Sequence, residues 1–267
     1  MKRILTLLVC LLFSTFLRGQ YSLQIEYNQI FNTDFPLIRT GLLQVNSNQS
    51  IFVDLMKSKR PIKENSDTNI SYLDNLSDHE RYTEIKEGEK INLQVGGNYD
   101  QYYMYDQSKK TFLFTGELGK EQFLISDNFN LQWEITNETK TISNYKVYKA
   151  STNFRGRNWD AWFAPELAYN FGPWKLHGLP GLILEAYDDS HRYHFVAIKI
   201  KNDKNLPMEP NTHFLKKIDF KNFILGNFEI IENSVNIIER DYEVIRHNVK
   251  RNSKELIYEW EEQPKKQ

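Results

Sequence analysis

Apolar and polar residues alternate along much of the chain with a period of two, which is typical of half-buried β-strands. Residues 22–56 contain three such runs. The polar stretch Asn46-Ser47-Asn48-Gln49 separates the second run from the third and has the composition of a turn. This part of the chain is therefore predicted to form three strands, of which the last two make a hairpin.

Similar runs resume after residue 91 and predict a continued meander of short strands. Residues 102–105 and 112–114 are rich in aromatic side chains and flank a polar turn at 106–110, so they predict a second hairpin. Further apolar runs occur at 123–125, 131–135 and 145–148, with residues 136–143 as a polar connection. Turn signals about every ten residues favour a sandwich, a barrel or a strongly curved sheet over alternating β/α units.

Two polar regions interrupt this pattern. Residues 57–90 are charged and poor in apolar side chains, which predicts a mobile flap or a disordered insert, with His79 simply solvated. Residues 202–212 form a linker in which Pro207 and Pro210 prevent regular structure.

The C-terminal part changes to a helical period. Asp219 is a suitable N-cap for a helix beginning near Phe220, and apolar residues between 231 and 249 recur at steps of three and four. We expect this helix to cover an open face of the sheet, with a partner coiled coil as the alternative. Its β-branched residues also leave a strand open for part of it. Residues 252–267, which include Trp260, are predicted to form a loosely held polar tail.

These patterns predict a mainly β (α+β) fold. It consists of a single antiparallel, strongly curved sheet or half-barrel, with a C-terminal helix packed on it. One domain over residues 20–251 accounts for the chain, because there is no internal repeat and no second segment large enough for its own core. An aromatic content of 14% agrees with β-structure rather than a helical bundle.

The first 19 residues have the pattern of a cleaved signal peptide. Lys2 and Arg3 precede an apolar stretch, and the region ends at the small residue Gly19. Because the stretch is too short to span a bilayer, we predict export to the periplasm or to an outer-membrane-associated place in the envelope. A lipid anchor on Cys10 is the alternative, although Val9 stands where a small residue is usually needed.

Removal of this segment lowers the formal charge of the chain from −1 to −4, because three of its residues are basic and none is acidic. A mildly acidic protein without a basic block is not expected to bind nucleic acid. Cys10 is the only cysteine, so the mature chain has neither a disulfide nor thiolate chemistry.

A stretch rich in glycine and proline precedes one strongly apolar run. Gly178 and Gly181 flank Leu179-Pro180, a pair suited to a tight turn, and Leu182-Ile183-Leu184 then predicts a strand buried on both faces. Gly172-Pro173 punctuates the chain just upstream. A phosphate-binding loop is the alternative for this turn, but it lacks the required lysine and hydroxyl residue, and Pro180 removes an amide donor.

Gly178 to Ile183 spell GLPGLI, and the chain resembles the GLPGLI family of Bacteroidetes envelope proteins. Upstream segments agree with the family pattern in order: Trp133-Glu-Ile, Glu138-Thr-Lys, Tyr145-Lys-Val-Tyr-Lys-Ala150, Trp159-Asp-Ala-Trp162-Phe and Gly172-Pro-Trp174-Lys. The resemblance covers about residues 130–200. It implies an envelope location and a β-rich fold, but no activity. Where members often carry a cysteine this chain has Val147, so it does not support thiol chemistry.

Three tryptophans lie within sixteen residues and are the main candidates for a binding site. Trp159, Trp162 and Trp174, with His177 nearby, would form a stacking platform for a glycan, a peptide aromatic group or a lipid tail; the simpler alternative is a role in the core. In an extended strand Trp159 and Trp162 lie on opposite faces, so a single platform would require a bend.

The histidines and acids form no strong catalytic or metal-binding pattern. His191 and His194, with His177 as a third candidate, suggest a metal site, but their three-residue spacing in a strand points the two rings to opposite faces. We therefore predict no metal and no cofactor. Asp188-Asp189 beside them is typical of a polar turn.

The functional expectation is non-catalytic binding of an apolar or aromatic ligand, or of a protein partner, in the cell envelope. The ligand classes that fit are lipid, peptide and glycan. The alternative is an envelope hydrolase whose site is assembled in space around His177, Asp188 and His191. A structural role through the polar C-terminal helix is a third hypothesis.

Overall fold

A computed structural model describes residues 22–33, 36–61, 83–85, 99–203, 210–229, 244–246 and 253–261. This part of the chain forms fourteen strands and one helix, α1, at residues 220–229. The strands are β1 Ser22–Phe31, β2 Leu37–Val45, β3 Gln49–Pro61, β4 Thr83–Ile85, β5 Gln101–Asp106, β6 Thr111–Leu118, β7 Glu121–Asp127, β8 Glu134–Ile142, β9 Tyr145–Phe154, β10 Arg157–Ala164, β11 Leu182–Asp188, β12 Tyr193–Asp203, β13 Lys216–Asp219 and β14 Val244–Arg246.

Twelve of these strands form one large sheet in the order β13-β7-β6-β5-β3-β2-β1-β12-β11-β10-β9-β8. Its pairings are antiparallel except for β13, which runs parallel to β7. The mainly β fold with one large sheet and a C-terminal helix is therefore confirmed. The sheet is open, with β8 at one edge and β13 at the other.

Both predicted hairpins are present, and polar side chains fix their turns. The Asn46 side chain accepts hydrogen bonds from the backbone amides of Asn48 at 2.9 Å and Gln49 at 2.8 Å, which holds the β2–β3 turn. The Asp106 carboxylate accepts from the Ser108 hydroxyl at 2.6 Å and from the Lys109 amide at 3.1 Å. Side chains that accept from their own turn backbone are the reason Asn and Asp favour such positions.

One predicted connection is wrong, because residues 136–143 belong mostly to β8. This strand lies at the sheet edge and its residues are largely exposed or half-buried. An edge strand that buries neither face strongly has no reason to show apolar alternation, so its polar sequence was misleading. The turn that follows is made by Ser143 and Asn144, both with positive φ.

The two faces of the sheet differ in how far other segments of the chain cover them. On the face that we call the inner face, side chains pack under residues 165–181, under α1 and under residues 253–261. Trp159 lies 5.4 Å from Trp174 between ring centroids, and Phe114 lies 5.8 Å from Phe220. The opposite face, which we call the outer face, carries half-exposed polar and aromatic residues on β9 to β12.

Helix α1 begins where the sequence predicts. The Asp219 carboxylate accepts a hydrogen bond from the backbone amide of Asn222 at 3.0 Å, as an N-cap does. The ring of Phe223 lies directly over Gly116, where a Cβ atom would come within 2.8 Å of it. Among the described residues, no helix combines the length and apolar character needed to cross a bilayer.

Several other expectations fall wholly or partly outside the described residues. The signal segment with Cys10 does, as do residues 62–82 and 86–90 of the predicted insert, while 57–61 end β3 and 83–85 form β4. The helical period at 231–249 is described only at β14, where the chain is a strand paired with β4. Residues 253–261 differ from the expected loose tail, because Tyr258 is 1% exposed and stacks on Trp260.

The stretch rich in glycine and proline is the predicted turn leading into a buried strand. Gly178 has φ +94°, and the Gly181 amide donates to the Leu179 carbonyl at 2.8 Å, closing a tight turn around Pro180. A Cβ atom on Gly181 would lie 2.4 Å from the Ala164 carbonyl oxygen. Residues 182–184 are fully buried. The positive φ therefore requires glycine at 178, and the close approach to Ala164 requires it at 181.

Candidate functional site

A group of polar and aromatic side chains lies together on the outer face of β8 to β12. Cross-strand register places Trp162 opposite Glu185 and Lys149, and Tyr187 opposite Asp160 and His194. Since alternate residues of a strand share a face, these side chains project on the same side. We call them the outer-face cluster: Lys140, Lys149, Asp160, Trp162, Glu185, Tyr187 and His194.

Glu185 is the centre of the cluster. Its carboxylate lies 2.8 Å from His194 Nε2 and also forms an ion pair with Lys140. Burial by itself would raise the pKa of Glu185, but the hydrogen bonds from His194 and Lys140 outweigh it and lower the pKa below its usual range. Glu185 is therefore ionised at neutral pH and acts as an acceptor that orients the imidazole.

Trp162 is the aromatic element of the cluster. Its indole N–H donates to the Tyr187 hydroxyl at 3.3 Å. Lys140 Nζ lies 4.3 Å from the ring centroid, which is a cation–π distance. Tyr187 also stacks on His191 at 4.6 Å and meets His194 edge-on at 5.4 Å, so the aromatic surface extends toward the β11–β12 turn.

A second carboxylate, Asp160, lies on the neighbouring strand. It accepts from the Ser151 hydroxyl at 2.5 Å and pairs with Lys149 at 3.1 Å. The hydrogen bond to Asp160 raises the pKa of Lys149. The cluster thus offers two carboxyl groups, two lysine side chains and one imidazole around an indole, and the charged side chains are partly exposed.

The predicted ligand residues do not form one platform. Trp159 is fully buried and packs against Trp174, which is 5% exposed, under the inner face. Trp162 lies on the outer face, as the spacing argument anticipated for an unbent strand. His177 is enclosed by aromatic rings, with Tyr105 at 4.0 Å, and burial lowers its pKa. Of the four, only Trp162 lies on the outer face, where it is 8% exposed.

The three residues suggested for a dispersed hydrolase site are also separate. Asp188 is fully buried, where it pairs with Arg157 at 2.7 Å and accepts from the Tyr193 amide at 2.7 Å. His191 lies in the turn and stacks on Tyr187, while His177 faces Tyr105 on the inner side. Asp188 is a structural residue of the β11–β12 turn. The hydrolase hypothesis therefore requires other residues.

His191 and His194 do not form a metal centre. The two rings are 6.4 Å apart, and His194 is committed to Glu185. Within the part of the chain that the structure describes, no group of three or more His, Cys, Asp or Glu side chains is arranged to hold a metal ion.

Sequence reasoning missed most of the outer-face cluster, although a signal was present. Asp160 and Trp162 stand two residues apart, and Glu185 and Tyr187 do the same on the strand predicted to begin at Leu182. When two strands each place an acid and an aromatic residue on one face, that face is a candidate binding surface. What the sequence could not provide was the register that brings them together.

A second charged group, on the inner side, is unsuited to binding. The Arg155 guanidinium contacts Asp127 at 2.7 Å and Glu255 at 2.5 Å, and Lys175 contacts the same two acids at 2.7 and 2.9 Å. We call these four residues the buried ionic cluster. Their side chains are between 1% and 6% exposed, so they join residues 253–261 to the core.

Comparison with known proteins gives one family match. The family model described as "N-glycanase peptide, N-terminal domain" matches residues 57–223, more than half of the chain. No curated protein matches. The GLPGLI assignment is therefore wrong. Its hexapeptide is a turn that packing explains, and six residues of turn chemistry are not specific to one family.

Two solved structures are similar to this chain, and one of them is similar enough to show a shared fold. One, described as "Structure of PNGF-II in C2 space group", has a TM-score of 0.51 at 16% identity and covers 78% of this chain and 33% of that one. A second, of PNGF-II in space group P21, has a TM-score of 0.47 at 17% identity and covers 78% and 34%. The first shows a shared fold alone, and the chain spans about a third of the length of either structure.

The family match also overturns the main functional expectation. Non-catalytic binding of an apolar ligand or a protein partner does not agree with a family defined on N-glycanases, which favours the hydrolase alternative instead. With its match over residues 57–223 and the strand order described above, the chain belongs to the family of the N-glycanase N-terminal domain.

Proposed function

We propose that this chain acts on N-linked glycans, as a hydrolase of the N-glycanase type that holds its carbohydrate on the outer-face cluster. The observation that carries the proposal is the family match over residues 57–223, a range that contains every residue of the cluster.

The cluster has the chemistry that carbohydrate recognition requires. A sugar ring presents an apolar C–H face and a rim of hydroxyl groups, so it pairs with an aromatic ring bordered by charged donors and acceptors. Trp162 and Tyr187 supply the aromatic surface. The carboxylates of Glu185 and Asp160 accept from hydroxyl groups, and the ammonium of Lys149 donates to them.

The same residues can move a proton. In the proposal, Glu185 orients His194, whose imidazole takes a proton from the water that attacks the linkage between glycan and protein. As that linkage breaks, the imidazole returns the proton to the leaving group, so the histidine is regenerated. Asp160 lies diagonally across from Glu185 on the adjacent strand, at a backbone separation of roughly 7–8 Å for such neighbours, and would hold the sugar.

A second candidate function is glycan recognition beside a separate catalytic domain. It is favoured by one specific observation: the chain spans about a third of the solved PNGF-II structures and matches a model described as an N-terminal domain. This role needs the stacking surface of Trp162 but not the proton transfer of His194. A change of Trp162 should therefore impair both candidate functions, and a change of His194 only the hydrolase.

The test combines release and binding on one N-glycosylated glycoprotein. Free glycan is quantified by chromatography after incubation with the wild type, W162A or H194Q, and binding is measured on immobilised substrate. His213 is exposed and lies outside the cluster, so H213Q is the matched control. For a hydrolase, H194Q lowers release roughly 10²- to 10⁴-fold, while H213Q retains wild-type release.

Binding that W162A abolishes, without release by the wild type, identifies the recognition module. If the wild type neither binds nor releases glycan, or if W162A behaves as the wild type in both assays, the proposal is overturned.

Export to the cell envelope is proposed alongside, because residues 1–19 have the pattern of a signal peptide. Sequencing the N-terminus of protein from the envelope fraction of its host checks this. We expect it to begin at Gln20, and an intact Met1 would contradict cleavage.

A further inference from the structure

We propose that the outer-face cluster is self-occluded: Lys140 covers the indole of Trp162 and must move aside before a neutral sugar ring stacks there. This inference rests on the proposed function and adds to it the residue that controls access and the charge class of the sugar.

The surroundings of Trp162 leave its ring face as the place for a ligand. The indole N–H is directed to the Tyr187 hydroxyl, and Glu185 and Lys149 flank the residue on the two adjacent strands. Lys140 Nζ stands 4.3 Å from the ring centroid, over this face. Trp162 is only 8% exposed. A sugar that stacks on it must take the position of the ammonium group.

Lys140 is the part of the cluster best able to move. It lies on β8, the edge strand, and its side chain is 37% exposed. Lys149, Asp160 and His194 are 21%, 28% and 24% exposed, and Glu185 is 14% exposed. A partly exposed lysine that turns outward regains water around its ammonium, so its displacement costs little.

The pairing of charges indicates a neutral sugar. Lys140 is held by Glu185, and Lys149 is held by Asp160 with Glu138 at 3.7 Å. Once Lys140 leaves, the ionised Glu185 faces the docking position. A carboxylate there accepts hydrogen bonds from hydroxyl groups and repels a carboxylated sugar. A desialylated glycan therefore fits the cluster better than its sialylated counterpart.

The experiment measures equilibrium binding by fluorescence polarisation with two labelled probes, a desialylated N-glycan and the same glycan with sialic acid. We compare the wild type with K140A, K140Q and W162A. The matched control is K146A, because Lys146 is a lysine on neighbouring β9 whose Nζ lies 5.1 Å from the Tyr148 ring. Thermal melting of each variant checks folding. If the K140A protein does not fold, K140Q is used in its place.

We expect K140A to bind the desialylated probe about twofold to fivefold more tightly than the wild type, which is the worth of one exposed cation–π contact. K146A should equal the wild type, and W162A should lose binding. The wild type should also prefer the desialylated probe.

If both K140A and K140Q bind more weakly than the wild type or equally well, the occlusion is overturned. The proposed function still stands in that case, provided that W162A abolishes binding. Tighter binding of the sialylated probe overturns the neutral class. If neither the wild type nor K140A shows binding that requires Trp162, the proposed function is overturned, and this inference with it.

Discussion

The two faces of this sheet carry similar groups under different conditions. The buried ionic cluster and the outer-face cluster each place lysine or arginine between carboxylates and against aromatic rings: Lys175 lies 4.2 Å from the Phe220 ring centroid, and Lys140 lies 4.3 Å from that of Trp162. The side chains of the first are at most 6% exposed, whereas those of the second reach 37%.

Exposure decides what such pairs can do. Removing one partner of a buried pair leaves a charge without water, so the arrangement is fixed for as long as the protein is folded. Half-exposed pairs contribute little to stability and exchange readily with water or ligand. The buried ionic cluster therefore fastens the chain segment at 253–261, and the outer-face cluster is the one available for recognition.

The strongest way to test this difference is the substitution K175M. It leaves Asp127 and Glu255 sharing Arg155 in a dry environment, and we expect a loss of about 3–5 kcal/mol in the free energy of unfolding. Urea denaturation followed by circular dichroism measures it. K149M on the outer face is the matched control and should cost less than about 1 kcal/mol; equal losses would remove the distinction between the faces.

Acid should weaken the buried ionic cluster. Burial by itself would raise the pKa of Asp127, but Lys175 and Arg155 outweigh it and lower the pKa. A carboxyl with a lower pKa when folded stabilises fully above its unfolded value of about 3.9, and that stabilisation is lost as the pH falls through the folded value. Urea midpoints should therefore decline below about pH 4.

D127N, which cannot ionise, should be less stable at neutral pH and show a shallower decline in acid. Midpoints measured between pH 2.5 and 7 for both proteins check this. Parallel curves for D127N and the wild type would show that Asp127 is not the group responsible.

The smallest effect on stability is expected for E185Q. This change removes the ion pair with Lys140 but retains an acceptor for His194, so the free energy of unfolding should change by no more than about 1 kcal/mol. Melting temperature in differential scanning calorimetry measures it. A loss as large as that of K175M would mean that the outer-face cluster is itself a structural element.

Local signals in the sequence were sufficient for much of the fold. Alternation identified β1 to β3, Asn46 marked the β2–β3 turn, Asp106 marked the β5–β6 turn and Asp219 marked the start of α1. Each of these features depends on neighbours in the chain. The edge strand β8 was missed because it buries neither face strongly.

The candidate site depends on distant residues and was mostly beyond sequence reasoning. Lys140 and Glu185 meet only because four strands are aligned in one register. The same reason explains residues 253–261. Their sequence predicts a polar tail, and only the fold shows that Glu255 pairs with Arg155 and Lys175. For Trp159 and Trp174 the sequence left a ligand platform and a core position as alternatives, because an aromatic side chain alone does not indicate which face of the sheet it joins.

The position of β1 has a consequence for how the protein is made. This strand lies in the middle of the sheet and pairs with β12, whose residues are about 160–180 positions later in the chain. The two halves of the sheet cannot join until that late strand has been synthesised. Closing so long a loop is slow, so β1 must wait with an unpaired edge. Assistance from a chaperone during this interval should raise the yield of folded protein.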